Sequence, residues 1–268
     1  MTVCIGMYGI GGLLVCADSH VITGDDGIVS STCKLGGVQC GSGSFVIGNA
    51  ADDGNAANML ATEIIEALSK SSASRGNIEP IVKKVMKDWH SGYVHSKAPQ
   101  IHFALAARFA PQNRCLYFCE PPNTVLRKHV DETVVIGVGA SIVEPLLPQV
   151  ILGPLWMREA LIRAGYLMYR AKKAHIFLKG SDTDVLMISD ADGDIRQVTR
   201  EEMKGAEAIG PDVDFMLRYC YLGLLGQFPG CDQKDFLEGL NQKYLEGRAK
   251  ADAIAFPSLK GMRGYVQN

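Results

Sequence analysis

Thr2, Asp18 and Lys34 are the residues of this sequence whose types and spacing could perform acyl-transfer chemistry. Met1 precedes a small residue, the usual condition for its removal, and a processed chain would present the Thr2 hydroxyl beside a free α-amine. That amine has a reference pKa of about 7.7–8.0, so it can take the hydroxyl proton directly or through a water. A nearby lysine would lower the hydroxyl pKa, and an aspartate would keep that lysine protonated and oriented. Singly, each residue has an ordinary role: many chains begin Met-Thr, an aspartate caps loops, and a lysine decorates strand edges. The combination carries the chemical reading.

The elements that would bring the three together are legible in the hydropathy pattern. Apolar segments over 2–7 and 13–17, separated by Gly9-Ile10-Gly11-Gly12, predict a β-hairpin. Asp18 then ends the second strand. A Gly/Asp loop at 24–27 leads to a second pair of strands over 33–40 and 44–48, with Lys34 opening the first. Four strands are thus expected before any helix. Ala57, Leu60, Ala61, Ile64, Ile65 and Leu68 recur on one helical face. A further helix is predicted over 78–89, strands near 101–107, 115–119 and 133–136, a helical stretch over 154–173, a hairpin at 185–198, and helices over 212–226 and 232–247. Sheets stacked face to face and covered on both outer sides suit this order. The expected fold class is α+β: a four-layer αββα sandwich over 2–205, followed by a helical C-terminal segment over 206–268 whose tail from Ala255 is the least structured portion.

With 268 residues and 47% hydrophobic content, the chain can bury a large core. A net charge of −2 gives no excess positive field for nucleic acid or anionic lipid. No run approaches the roughly 20 apolar residues that span a bilayer, and the start lacks a basic secretion-type region, so a cytoplasmic chain with reduced cysteines is expected.

Thr2, Ala17-Asp18-Ser19, Thr23-Gly24, Lys34 and Ile47-Gly48-Asn49-Ala50-Ala51-Asp52 resemble the N-terminal half of proteasome β-type subunits, in the same order and without a gap from Thr2 to Gly48. A Met-Thr start without a propeptide is similar to bacterial members such as HslV and the Anbu group. The resemblance implies the N-terminal nucleophile (Ntn) hydrolase fold, peptide-bond hydrolysis by Thr2 with Asp18 and Lys34 in support, and an oxyanion hole at the Gly48 N–H. It implies a specificity pocket lined by Val21, Thr32, Gly36, Val46, Ala50 and Gly54, small and uncharged, which favours an apolar residue before the scissile bond. Ser181 and Asp182 fall in the slot of a late supporting loop. Gly137-Val138-Gly139 departs from the family's Gly-Ser-Gly, because Val138 has no hydroxyl. No cofactor or metal is implied. The expected partners are peptide or unfolded protein as substrate, copies of the chain in a homo-oligomeric ring, and an unfoldase ATPase.

Other motifs lead less far. Gly137-Val138-Gly139 lacks the third glycine and closing acid of a dinucleotide loop, and Asp190-Ala191-Asp192-Gly193-Asp194 lacks the distal glutamate of a calcium loop. The six histidines and eight cysteines show no zinc spacing. Two competing functions stay open: a small-amide Ntn amidohydrolase, and a catalytically silent scaffold subunit made credible by Val138.

Overall fold

The computed structural model describes residues 2–23, 28–93, 99–110, 113–119, 127–129, 133–151, 153–175, 178–227 and 232–262. Met1, the 24–27 loop with Gly24, and the tail beyond Met262 therefore lie outside the described residues.

Two antiparallel five-stranded sheets form the centre. In the first, β1 (Val3–Gly9) and β2 (Gly12–Asp18) make the expected hairpin, flanked by β10 (Val134–Gly137) on one side and by β11 (Thr183–Ser189) and β12 (Ile195–Val198) on the other. The second runs in sequence order: β5 (Leu35–Cys40), β6 (Gly43–Ala51), β7 (Ile101–Ala110), β8 (Asn113–Cys119) and β9 (Arg127–His129). Every residue of β2 is buried. Its unbroken apolar run follows from that, since a strand covered on both faces has no solvent face to alternate with.

The side chains sort into three clusters by face. Cys4, Val15 and Ala17 of the first sheet meet Val46, Ala50 and Ala104 of the second. The opposite face of the first sheet packs Ile5, Leu14 and Val185 on Leu161, Ala164 and Leu167 of α5 (Met157–Ala174). The opposite face of the second packs Phe45, Ile47 and Phe103 on α1 (Gly54–Lys70) and α2 (Ile78–Ser91). The periodic residues Ala57, Leu60, Ala61, Ile64 and Leu68 are buried, as the helical pattern predicts. Asp53 starts α1 by accepting bonds from the Asn55 and Ala56 amides, both at 3.0 Å.

Several expectations need correction. Six strands, not four, precede α1, because β3 (His20–Thr23) and β4 (Ile28–Ser31) pair as a separate ribbon flanking the 24–27 loop. Two short helices, α3 (Ala140–Val143) and α4 (Leu147–Val150), and then α6 (Arg200–Ala208) were not expected. The signal for α6 was present: Thr199 and Glu202 form a capping box. The division at residue 205 falls inside α6. Beyond it lie α7 (Gly210–Leu224) and α8 (Gln233–Ala253), the latter ending six residues beyond its apolar pattern. Within the described part of the tail, 255–262, Phe256, Leu259 and Met262 are buried, which its composition does not suggest. No described helix is long and apolar enough to cross a membrane.

Candidate active site

The site forms where the two sheets meet at the start of β1. Thr2 immediately precedes β1, Asp18 ends the adjacent β2, and Lys34 stands one residue before β5 in the other sheet. Lys34 Nζ donates to Thr2 Oγ1 at 2.7 Å and to Asp18 Oδ2 at 2.8 Å, and it also donates to the His20 carbonyl. All three side chains are buried, at 3%, 0% and 4% exposure for Thr2, Asp18 and Lys34. The ammonium thus holds three acceptors in a space where its charge is weakly screened.

Asp18 does more than pair with the lysine. Its Oδ1 accepts the Val3 amide at 2.8 Å and its Oδ2 accepts the His20 amide at 3.1 Å. One carboxylate thereby ties the start of β1, the start of β3 and the lysine to each other. Burial pushes the Lys34 ammonium below the ordinary lysine value, while Asp18 pulls it back up. Two neighbouring thiols move the other way for the same physical reason: burial raises Cys4 well above the usual cysteine range and Cys16 to about 12. Both stay protonated and inert at neutral pH.

The backbone of Lys34 is held by Asn49, a residue of the 47–52 motif to which the sequence alone assigns no role. Asn49 donates to the Lys34 carbonyl through its amide at 3.1 Å and through its side chain at 3.2 Å, and the same side-chain nitrogen donates to Asn58 on α1 at 3.0 Å. Gly137-Val138-Gly139 closes on Thr2 from the other side. Gly137 pairs with Val3 at φ +89°, and a Cβ there would lie 2.2 Å from the Thr2 carbonyl oxygen. The Gly139 amide donates to that oxygen at 3.4 Å, whereas Val138 is 46% exposed.

The remaining predicted positions fare unevenly. Gly48 lies in the middle of β6, opposite both Leu35 and Ala104, six residues before α1 rather than at its mouth. A Cβ at Gly48 would meet Cys4 Sγ at 2.5 Å and Val15 Cγ1 at 2.8 Å, so the approach of the first sheet requires glycine there. Because the Asn49 amide points to Lys34, ladder alternation turns the Gly48 N–H towards β7.

Among the pocket positions whose direction is described, two faces of the second sheet are represented. Val46 and Ala50 point into the inter-sheet cluster, while Gly36 pairs with Ile47 and faces the helix side of its sheet. Pleat alternation, invisible in a list of positions, separates them. Thr32 donates its amide to the Ser19 carbonyl at 2.8 Å, Gly54 is the first residue of α1, and Val21 is described only through its backbone in β3.

The late loop touches the site through its main chain. Ser19 and Asp182 exchange two bonds: the Ser19 amide to the Asp182 carbonyl at 3.0 Å, and the Asp182 amide to Ser19 Oγ at 3.1 Å. The Asp182 carboxylate is engaged by Arg200 at 2.9 Å and Lys204 at 3.2 Å, and the Ser181 hydroxyl donates to the Leu178 carbonyl at 2.8 Å. Neither side chain bonds to the Thr2–Asp18–Lys34 group. A cavity of about 670 Å³ opens at the far end of β1, beside Tyr8, Arg114, Leu147 and Ile151, and is separate from this group.

No protein-family model matches the sequence, and no curated protein matches it. The structure, in contrast, is similar to solved structures of Anbu proteins. Solved Anbu structures share its fold: a Gly-1 mutant of Anbu from Hyphomicrobium sp. strain MC1 at TM-score 0.67 and 17% identity, covering 84% of this chain and 99% of that one. The helical assembly of the Anbu complex from Pseudomonas aeruginosa gives TM-score 0.67 at 15% identity, with coverage of 87% and 99%. Anbu, described as an ancestral beta-subunit, from Yersinia bercovieri gives 0.63 at 13%, with coverage of 86% and 99%. The Anbu-like fold anticipated from the N-terminal motifs is therefore present, at an identity that speaks for fold alone.

Proposed function

We propose that this chain is a four-layer αββα Ntn hydrolase of the proteasome type, a threonine peptidase that acts in a self-assembled ring. The observation that carries the reading is the 2.7 Å contact between Lys34 Nζ and Thr2 Oγ1, with Asp18 2.8 Å from the same nitrogen. A buried lysine bonded to a threonine hydroxyl at position 2 stabilises an alkoxide there. Self-assembly is supported by the solved helical assembly of the Anbu complex.

Removal of Met1 frees the Thr2 α-amine. The Thr2 oxygen attacks the amide carbonyl carbon, and its proton passes to the amine directly or through a water. The tetrahedral intermediate collapses, the C–N bond breaks, and the protonated amine gives its proton to the leaving nitrogen. Water then hydrolyses the ester left on Thr2. Lys34 offsets negative charge on the threonine oxygen, and Asp18 with the His20 carbonyl keeps the ammonium in place. A Gly48 oxyanion donor requires its N–H to leave the β6–β7 ladder, so the proposal rests on the three side chains and on the amine.

Intact-mass spectrometry before and after incubation with a peptide epoxyketone tests the reading. Loss of Met1 and one adduct mapped to Thr2 are expected; retained Met1 with no adduct would mean a silent subunit. In an active preparation, turnover should rise with pH as the amine deprotonates near about 7.7–8.0. It should fall again below the ordinary lysine range, because burial lowers the pKa of Lys34. Asp18→Asn removes an influence that raises that pKa, so the alkaline limb of the residual activity should move to lower pH. An unmoved limb in that variant would show that Lys34 does not set it.

A further inference from the structure

Asn49 and Asn58 are polar residues that their local settings disfavour. Asn49 interrupts the apolar run Phe45-Val46-Ile47-Gly48-Asn49-Ala50 of β6 at 3% exposure, in a strand context that depletes asparagine. Asn58 stands in the second turn of α1, where asparagine propagates a helix poorly. A buried amide is costly unless its polar atoms are bonded, and these two bond each other, Asn49 Nδ2 donating to Asn58 Oδ1 at 3.0 Å. Violations of local preference that compensate one another are expected at functional sites. What the pair holds is the main chain of Lys34. The β5–β6 ladder closes with Leu35 opposite Gly48, so Lys34 stands where the chain leaves the sheet. Among the described residues, both hydrogen bonds to the Lys34 carbonyl come from Asn49: its amide at 3.1 Å and its Nδ2 at 3.2 Å. Nδ2 carries two hydrogens, one for Lys34 and one for Asn58, so the Asn58 bond fixes the rotation of the Asn49 amide.

We propose that Asn49 is a positioning residue for hydrolysis at Thr2 and that Asn58 orients it, the two holding the Lys34 main chain so that its ammonium meets the Thr2 oxygen. The inference rests on the threonine chemistry of the proposed function and adds to it a mechanical link from α1 to the nucleophile, through Asn58, Asn49 and Lys34. The lysine stem is flexible, so the place of its ammonium depends on its main-chain anchor as well as on its acceptors. Neither asparagine bonds to Thr2. Their effect passes through the lysine: an ammonium displaced from its 2.7 Å contact stabilises less of the charge that gathers on the Thr2 oxygen during attack. Such a loss falls on the transition state and leaves the binding of the peptide unaltered, so it appears in kcat rather than in KM.

Steady-state hydrolysis of a fluorogenic peptide, with rates expressed per Thr2 titrated to completion by the epoxyketone, compares the wild-type chain with Asn49→Ala, Asn58→Ala, the double variant and Asn58→Asp. Asn49→Ala should lower kcat on the order of 10- to 100-fold, the cost of roughly an ångström of misplacement, with KM within about twofold. Asn58→Ala should give a smaller fall of the same kind, and the double variant no more than Asn49→Ala alone, because Asn58 acts through Asn49. Asn58→Asp keeps an accepting oxygen and should restore most of the turnover. Far-UV circular dichroism and a cooperative thermal transition check the fold; should Asn49→Ala fail them, the Asn58 series, at a half-buried position, decides by the same criteria. A wild-type chain that neither cleaves peptide nor labels at Thr2 overturns the threonine reading and this inference with it. An active wild type whose kcat survives Asn49→Ala overturns the inference alone, as does a loss confined to KM, or an Asn58→Asp variant as slow as Asn58→Ala.

Discussion

Thr2→Ala is expected to lower peptide hydrolysis by on the order of 10⁴-fold or more, the scale on which removal of a nucleophile acts in other hydrolases. The variant should keep its fold and its assembly. Lys34 loses one acceptor but retains Asp18 and the His20 carbonyl, so no buried charge is orphaned. Lys34→Met should also lose most turnover, because the Thr2 oxygen then has no cation beside it in a buried site. Active-site titration with the epoxyketone separates the two variants: Thr2→Ala has no oxygen to modify, whereas Lys34→Met should label slowly at Thr2. Turnover by Thr2→Ala within tenfold of wild type would remove threonine from the mechanism.

Asp18→Ala should destabilise the protein by about 3–5 kcal/mol, a large share of the roughly 5–15 kcal/mol that holds a typical domain together. The change leaves a buried ammonium without its counter-ion and the Val3 and His20 amides without their acceptor. Urea unfolding measures the difference. Adding Lys34→Met to Asp18→Ala should recover some of the loss, because two apolar side chains are less costly at this depth than one unpaired charge. A loss below about 1 kcal/mol for Asp18→Ala would mean that water reaches the site and satisfies the lysine.

The residues of this site are readable in the sequence, and their support is not. Thr2, Asp18 and Lys34 stand out because together they make a nucleophile, a cation beside it and that cation's counter-ion, and their spacing lets two hairpins return them to one place. The His20 carbonyl cannot be found this way, since every residue has one. Asn49 belongs to a recognisable motif, but its grip on Lys34 depends on which side of β6 its amide faces. The pocket positions divide for a related reason: Gly36 and Val46 sit on opposite faces once β5 and β6 pair, and a list of positions does not carry that register. At fold level, the long periodic helix α1 and the apolar β1–β2 hairpin were the safest readings. The short ribbon of β3 and β4 was missed because a pair of four-residue strands beside a Gly/Asp loop has too little period to register. In the Gly137 segment, attention to a missing serine hydroxyl overlooks the contribution its glycines make with backbone alone.

Asp18 and Lys34 belong to different sheets, and their ion pair consequently acts as a gauge of how one sheet is seated on the other. The contact between lysine and threonine holds only while β2 and β5 keep their mutual position. A slide of about an ångström between the sheets would break the lysine's 2.7 Å and 2.8 Å contacts long before either sheet lost its own ladder. Loosening of the small-residue layer of Cys4, Ala17, Ala50 and Ala104 would therefore register first as misalignment at Thr2, well ahead of unfolding. The geometry of the Thr2–Asp18–Lys34 group and inter-sheet seating are, in this molecule, one mechanical quantity.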